Sequence, residues 1–104
     1  EAIVATPGVD GVFVGPMDMG LALGLGRDAT GEHPDLIAAT QAVIDACQRH
    51  GKIPAGVSMG HANAEHLLQM GMRMLTIGSD AGYISAGVAA DAARARELAS
   101  RFAR

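Results

Sequence analysis

The sequence has no tryptophan, a single cysteine and only three aromatic residues among 104, which are Phe13, Tyr83 and Phe102. One cysteine, Cys47, excludes an intrachain disulfide, and nothing else in the sequence indicates an oxidising compartment. No apolar run approaches the roughly 18 residues that a membrane-spanning helix requires. We therefore expect a cytoplasmic protein without a membrane partner.

Basic charge is also scarce, because 8 Lys and Arg stand against 11 Asp and Glu and leave a net charge of -3. A nucleic-acid partner would require a basic stripe, so none is expected. The exception is the segment 91–104, which holds four arginines and two acids. This pattern favours a solvated helix face, and the alternative is a C-terminal helix that docks against a neighbouring subunit.

Hydrophobic residues make up 49% of the chain and form three short apolar runs that alternate with helical stretches. The runs predict strands at 11–15, 53–57 and 74–78. None alternates strictly, which is typical of parallel strands that are covered on both faces. Pro54 has no N–H to donate, so it weakens the second prediction unless it lies at the beginning of the strand.

Helices are predicted at about 34–50, 62–70 and 80–102, the last with a possible break at 85–87, and residues 1–6 resemble the end of a further helix. The first of these begins with Pro34 and is followed by Gly51, the residues preferred at a helix start and just past a helix end. Its apolar face is formed by Leu36, Ile37, Thr40, Val43, Ile44 and Cys47. We therefore expect Cys47 to be a small buried side chain.

Strands that alternate with helices imply an α/β fold with parallel pairing and right-handed crossovers. Three such units fit either an open doubly wound sheet or part of a (β/α)8 barrel, which needs about 250 residues when complete. In both folds the chemistry lies at the carboxyl ends of the strands. The long loop predicted at 18–33 is therefore the first place to look for a site.

Asp18 follows the first strand almost directly, after Gly15 and Pro16. Glycine allows a ligand to approach the backbone, and proline fixes φ, so the neighbouring N–H groups are held in place. A hard divalent cation would take such a carboxylate together with another oxygen ligand and water. The alternative role for Asp18 is to cap a turn in the following loop, since aspartate is common in turns.

The segment from Val9 to Asp18, VDGVFVGPMD, resembles the strand-six signature of the HpcH/HpaI aldolases, in which G-V-D-G-V-F-hydrophobic-G-P-x-D precedes a Leu/Gly-rich loop. The resemblance continues at 19–21, 23–24, 33–34, 51–52 and 77–80. It implies the C-terminal portion, about three βα units, of a (β/α)8 TIM barrel of the phosphoenolpyruvate/pyruvate type. Residues 1–104 would then be a C-terminal fragment of a single aldolase barrel domain.

The same resemblance implies a class II, metal-dependent carbon–carbon lyase that cleaves a 4-hydroxy-2-oxo acid to pyruvate and an aldehyde, in a homo-oligomeric parent protein. Asp18 corresponds to a metal-binding carboxylate for Mg²⁺, Mn²⁺ or Co²⁺, acting as a Lewis acid on the 2-oxo group. Gly15, Met17 and Asp18 correspond to the backbone cradle for the pyruvate carboxylate. Val57 corresponds to a position that lines the substrate pocket.

The resemblance also implies that the other functional groups lie before Glu1: the family's first metal glutamate, its catalytic histidine and its carboxylate-binding arginine. Glu1 itself corresponds to an acidic residue of the intervening helix. One carboxylate is a poor magnesium site, because magnesium needs several oxygen ligands in near-octahedral geometry. We therefore expect no catalytic residue in this chain and no activity from the chain alone.

The four histidines are interpreted as structural. His61 and His66 are five residues apart, whereas two ligands on one helix face are four apart. His50 lies near a predicted helix end, where the helix dipole favours it. Asp80 is predicted to be an N-cap, and its carboxylate disfavours the phosphate site that many barrels have after their last strands.

Three other functions stay open at this point. A citrate-lyase β-type enzyme acting on acyl-CoA thioesters would use the same scaffold and a metal. A phosphate-binding isomerase or oxidoreductase barrel would use the last helix N-terminus. A non-catalytic interaction module would make the site residues incidental.

Overall fold

The computed structural model describes residues 1–26 and 32–103. Within these ranges the helices and strands follow one another in the order α1 (Ala2–Ala5), β1 (Gly11–Val14), α2 (Pro16–Ala22), α3 (Pro34–Arg49), β2 (Ile53–Val57), α4 (His61–Met70), β3 (Met74–Thr76) and α5 (Asp80–Phe102). The predicted alternation of strands and helices is confirmed. None of these helices is both long and apolar enough to span a bilayer.

The three strands form one parallel sheet in the order β1-β2-β3. The register pairs Phe13 with Ala55 and Ala55 with Met74. Pro54 lies inside the middle strand, where its carbonyl accepts a hydrogen bond from the Arg73 N–H at 2.9 Å. The N–H that proline lacks would point toward β3, one residue before the pairing of β2 with β3 begins. No hydrogen bond of that pairing is therefore lost.

One face of the sheet packs against α3. Val14 of β1 joins Ile44 and Met72 in a buried cluster, and a second cluster is built on Cys47, which is fully buried as predicted. The limits of α3 follow from its ends. Pro34 occupies the first turn, the His33 Nδ1 accepts the Asp35 N–H at 3.3 Å, and Gly51 adopts φ 63° just past the end.

The opposite face of the sheet carries no helix within the described ranges. Phe13, Ile53 and Met74 are each about half exposed there, at 50%, 48% and 54%. Apolar side chains of this size are normally covered when they line a strand, because a parallel sheet is buried on both sides. This face is therefore an apolar surface that the described residues leave open.

The structure differs from the prediction at the loop 18–33 and at the possible break in the last helix. The loop predicted at 18–33 begins with the helix α2 up to Ala22, because Gly15 serves as an extended N-cap and Pro16 is a favourable first residue; residues 27–31 of that loop lie outside the described residues. The break predicted at 85–87 is absent, and α5 is continuous through Gly87. One glycine costs a helix only about 1 kcal/mol, which the alanine-rich flanks offset.

Candidate functional site

The carboxyl ends of the three strands lie at one edge of the sheet, because the strands are parallel. The register pairs Val14 with Gly56 and Val57 with Thr76. The next residue after β1 is Gly15, and the last residue of β2 is Val57, so both lie at this edge on neighbouring strands. The topology thus brings together two of the residues that the sequence assigned to one substrate site.

The remaining predicted site residues form the first turn of α2, which starts directly after β1. Met17 is 43% exposed, and Asp18 is exposed beside it. The N–H groups of Met17 and Asp18 have no helical carbonyl before them to bond to, because the first turn of a helix leaves its N–H groups without intrahelical acceptors. Asp18 forms no side-chain cap, and a carboxylate in this turn is favoured by the helix dipole.

Gly15 leaves room for Asp18, which the sequence did not reveal. A Cβ placed on Gly15 would lie 2.7 Å from the Oδ2 of Asp18, which is too close for a side chain to fit without moving the carboxylate. The φ of Gly15 is -92°, so the backbone itself does not require glycine. The absent side chain therefore provides the space that the Asp18 carboxylate occupies.

A crevice between the sheet and the helices α3 and α4 reaches this segment, and its lining includes Pro16, Val57, Met59 and Asn63. The loop after β2 is held by Asn63, whose Oδ1 accepts the Met59 N–H at 2.9 Å. Sequence reasoning missed Asn63. The available signal was a side-chain acceptor at the third position of a helix, from which it can reach back to the chain before the helix.

Asp18 suits a hard divalent cation in its chemistry, since Mg²⁺ and Mn²⁺ prefer oxygen ligands. Residues 1–26 and 32–103 hold no group of three or more His, Cys, Asp or Glu side chains close enough to share a metal ion. The described residues therefore supply one ligand that fits, and not a complete set.

Two of the four histidines make contacts at the ends of α3. His33 caps α3, and the His50 Nε2 lies 2.7 Å from the Oε1 of Glu1. His61 is the first residue of α4, and His66 is exposed on the same helix.

The N-cap prediction for Asp80 was wrong. The N-cap of α5 is Ser79, whose Oγ accepts the Gly82 N–H at 3.1 Å. Asp80 is the first helical residue, and its Oδ1 accepts the Ala81 N–H at 2.8 Å. Serine and aspartate are comparably good N-caps, and Ser79 takes the N-cap position because it comes first in the sequence.

A cluster of charged residues lies outside the carboxyl edge, at the C-terminal end of α3. The Glu1 carboxylate pairs with the guanidinium of Arg49 and with the ring of His50. The hydrogen bond from Arg49, followed by that from His50, lowers the pKa of Glu1 from 4.5 to about 2. This cluster joins the start of α1 to the end of α3 and lies away from Asp18.

Residues 1–86 match the family model described as HpcH/HpaI aldolase/citrate lyase. The chain is 43% identical over 83 residues to the 5-keto-4-deoxy-D-glucarate aldolase of Klebsiella pneumoniae subsp. pneumoniae. It is 42% identical over 83 residues to the protein of the same name from Escherichia coli strain K12. Each alignment covers 79% of this chain and 31% of the relative.

The fold is similar to that of a solved HpcH/HpaI aldolase/citrate lyase family protein from Burkholderia cenocepacia J2315, with a TM-score of 0.79 and 31% sequence identity. The similarity covers 90% of this chain and 36% of that one. The chain therefore spans about a third of the length of the relatives that it matches.

Proposed function

The chain belongs to the HpcH/HpaI aldolase/citrate lyase family, and from this we propose that it is the C-terminal part of a (β/α)8 barrel, called the complete protein below. We propose that the complete protein is a divalent-metal-dependent aldolase. It cleaves a 4-hydroxy-2-oxo acid to pyruvate and an aldehyde. The bare face of the sheet supports the barrel, because the missing strands would enclose Phe13, Ile53 and Met74.

One observation carries the aldolase proposal: the exposed carboxylate of Asp18 stands at the carboxyl end of β1, in space left by Gly15. This is the end of a parallel strand at which barrel enzymes place their chemistry. Asp18 would hold a divalent cation together with ligands from the rest of the complete protein. When bound, the cation would supply Lewis acidity toward the 2-oxo group of the substrate.

The residues of this chain would bind and orient the substrate. The N–H groups of Met17 and Asp18 would donate to the carboxylate of the 2-oxo acid, and the absent side chain of Gly15 would leave room for the Asp18 carboxylate beside them. Val57 would contact the methylene at carbon 3 from the neighbouring strand. These contacts would hold carbon 3 and carbon 4, whose bond breaks, above the carboxyl edge of the sheet.

The overall reaction balances without a further reactant. The bond between carbon 3 and carbon 4 breaks, its electron pair stays on carbon 3, and the 4-hydroxyl proton is lost as the aldehyde forms. Carbon 3 then takes up a proton to give pyruvate. The groups that move these protons would come from outside this chain, so the chain alone should be inactive.

The relatives named 5-keto-4-deoxy-D-glucarate aldolase favour the aldolase over the other functions. Counted from its nearer carboxylate, that compound is a 2-oxo, 3-deoxy, 4-hydroxy acid, which is the substrate class proposed here. The family description also names citrate lyase, but the two curated relatives reported above carry the aldolase name. Cytoplasmic location and homo-oligomeric assembly remain predictions.

The proposal is tested by the variant Asp18→Asn in the complete protein. We expect the rate of aldol cleavage with Mn²⁺ to fall at least about 100-fold, since losing a ligand should cost no less than losing a group that only orients one. Calorimetry should show a matching loss of Mn²⁺ affinity. Near-normal activity at limiting Mn²⁺ would mean that Asp18 only supports the start of α2.

Asp35→Asn is the matched control. Asp35 is also an exposed acid in the first turn of a helix that begins with proline, so it has the same relation to its helix dipole as Asp18. It lies on α3 and is not among the residues assigned to the substrate site. We expect this variant to keep its cleavage rate and its Mn²⁺ affinity.

A further inference from the structure

Ser58, the residue directly after β2, makes an unusual pair of hydrogen bonds. Its backbone N–H donates to the carbonyl oxygen of Thr76 at 3.2 Å, and its Oγ donates to the same oxygen at 2.5 Å. The residue is only 8% exposed. Both donors of Ser58 therefore converge on the last residue of β3.

The hydroxyl bond is the shorter of the two and holds the end of the sheet together. The β2–β3 ladder ends at the pair Val57 and Thr76. At 3.2 Å the N–H bond alone is at the long end of the usual range for a backbone hydrogen bond. Without the hydroxyl, Ser58 would be joined to the Thr76 carbonyl by this one long bond alone.

The position of this bond connects it to the candidate site. Val57 immediately precedes Ser58 and lines the crevice beside Pro16. On its other side the same loop is held by Asn63, which accepts from Met59. Gly60 lies between Ser58 and Asn63 and has φ 121°, a conformation that turns the chain sharply into α4.

We propose that Ser58 is a positioning residue, whose hydroxyl ties the end of β2 to Thr76 and so holds Val57 at the distance from Gly15 that pyruvate binding requires. The inference rests on the proposed aldolase function, because it assumes that Val57 and the Gly15–Asp18 segment contact one substrate. Ser58 itself would not touch the substrate, since its hydroxyl is engaged with Thr76.

The test compares Ser58→Ala, Ser58→Thr and the unsubstituted complete protein in aldol addition with pyruvate and a fixed aldehyde. We expect Ser58→Ala to raise the KM for pyruvate about five- to tenfold, the effect of one net hydrogen bond, with kcat within about twofold. The thermal midpoint should change little. Ser58→Thr keeps the hydroxyl and should restore the KM.

Ser100→Ala is the matched control, because the Oγ of Ser100 also donates to a backbone carbonyl, that of Glu97 at 2.8 Å, but on α5. It should leave KM and kcat unchanged. The inference is overturned if Ser58→Ala leaves the KM of an active protein unchanged, or if Ser58→Ala and Ser58→Thr raise the KM equally. If the unsubstituted protein neither reacts with pyruvate nor binds it by calorimetry, the proposed function fails, and the inference fails with it.

Discussion

The two longest helices, α3 with 16 residues and α5 with 23, differ completely in burial. Five residues of α3 are buried, and Ile44 is not exposed at all. No residue of α5 is buried, although it carries large apolar side chains; Ile84, Val88 and Phe102 are 67%, 64% and 81% exposed. The described chain is accordingly elongated, measuring 69 × 28 × 21 Å.

The difference follows from the connections of the two helices. α3 links β1 to β2, so the parallel crossover returns it to the face of the sheet. α5 follows β3 and precedes no described strand, so nothing returns it. It is stabilised along its own length, by the Ser79 cap and by Glu97, which pairs with both Arg94 and Arg101. An amphipathic sequence is therefore sufficient to form the helix but not to bury it.

The largest effect that this comparison predicts is at Ile44. Ile44→Ala should lower the free energy of unfolding of the complete protein by about 3 kcal/mol, because it leaves a cavity between α3, Val14 and Met72. The midpoint of urea unfolding measures the loss. A change under about 1 kcal/mol would show that the packing of α3 on the sheet is not the main source of stability.

Ile84→Ala removes the same atoms from α5. Since Ile84 is 67% exposed, we expect a change within about 0.5 kcal/mol, as is usual for surface positions. A loss as large as that at Ile44 would mean that a region outside the described residues covers α5. The contrast between the helices would then hold for this chain and not for the complete protein.

Much of the fold could be predicted from the sequence, because apolar runs and helix-end residues are local signals. The predicted limits of β2 are those observed, and α3 ends one residue earlier than predicted. β3 ends at Thr76 and not at 78, because the ladder with β2 stops there. The helix α2 was missed since its Leu- and Gly-rich sequence is typical of a loop, although Pro16 was a start signal.

For the candidate site, the sequence was enough to predict which residues lie at the same edge of the sheet. A parallel topology is enough to bring Gly15, Asp18 and Val57 to the same end of the sheet. The steric reason for Gly15 was not predictable, because it depends on where the Asp18 carboxylate lies in space. The bonds of Ser58 depend likewise on the register of β2 and β3, which no local pattern of residue types encodes.

A further prediction uses two glycines to contrast the packed and open regions. A Cβ on Gly56 of β2 would lie 3.2 Å from the carbonyl oxygen of Val14 and 3.2 Å from the Cε of buried Met72, so Gly56→Ala should destabilise the complete protein by about 1–3 kcal/mol. A Cβ on Gly87 would meet nothing within 4 Å, so Gly87→Ala should stabilise it by about 0.5–1 kcal/mol. Urea midpoints should therefore move in opposite directions. A loss at Gly87 would show that α5 is closely covered.

The smallest predicted effect concerns the charges that hold each helix. Glu1 joins α1 to the end of α3, and its pKa falls from 4.5 to about 2, chiefly through the hydrogen bond from Arg49. A lowered carboxyl pKa stabilises the folded state above pH 4.5, and this contribution is lost as the pH falls from 4.5 toward 2.

Glu1→Gln should therefore lower the urea midpoint at pH 7, and the difference from the unsubstituted protein should shrink as the pH falls from 4.5 toward 2. The effect should be small and weaken with added salt, because the pair is exposed. Glu97→Gln removes two ion pairs within α5, which join no second element, so its effect at pH 7 should be smaller still. If Glu1→Gln changed the urea midpoint equally at pH 7 and pH 3, the Glu1 carboxylate would not hold α1 against α3. The ion pairs of α3 and α5 would then be alike, because neither would join its helix to a second element.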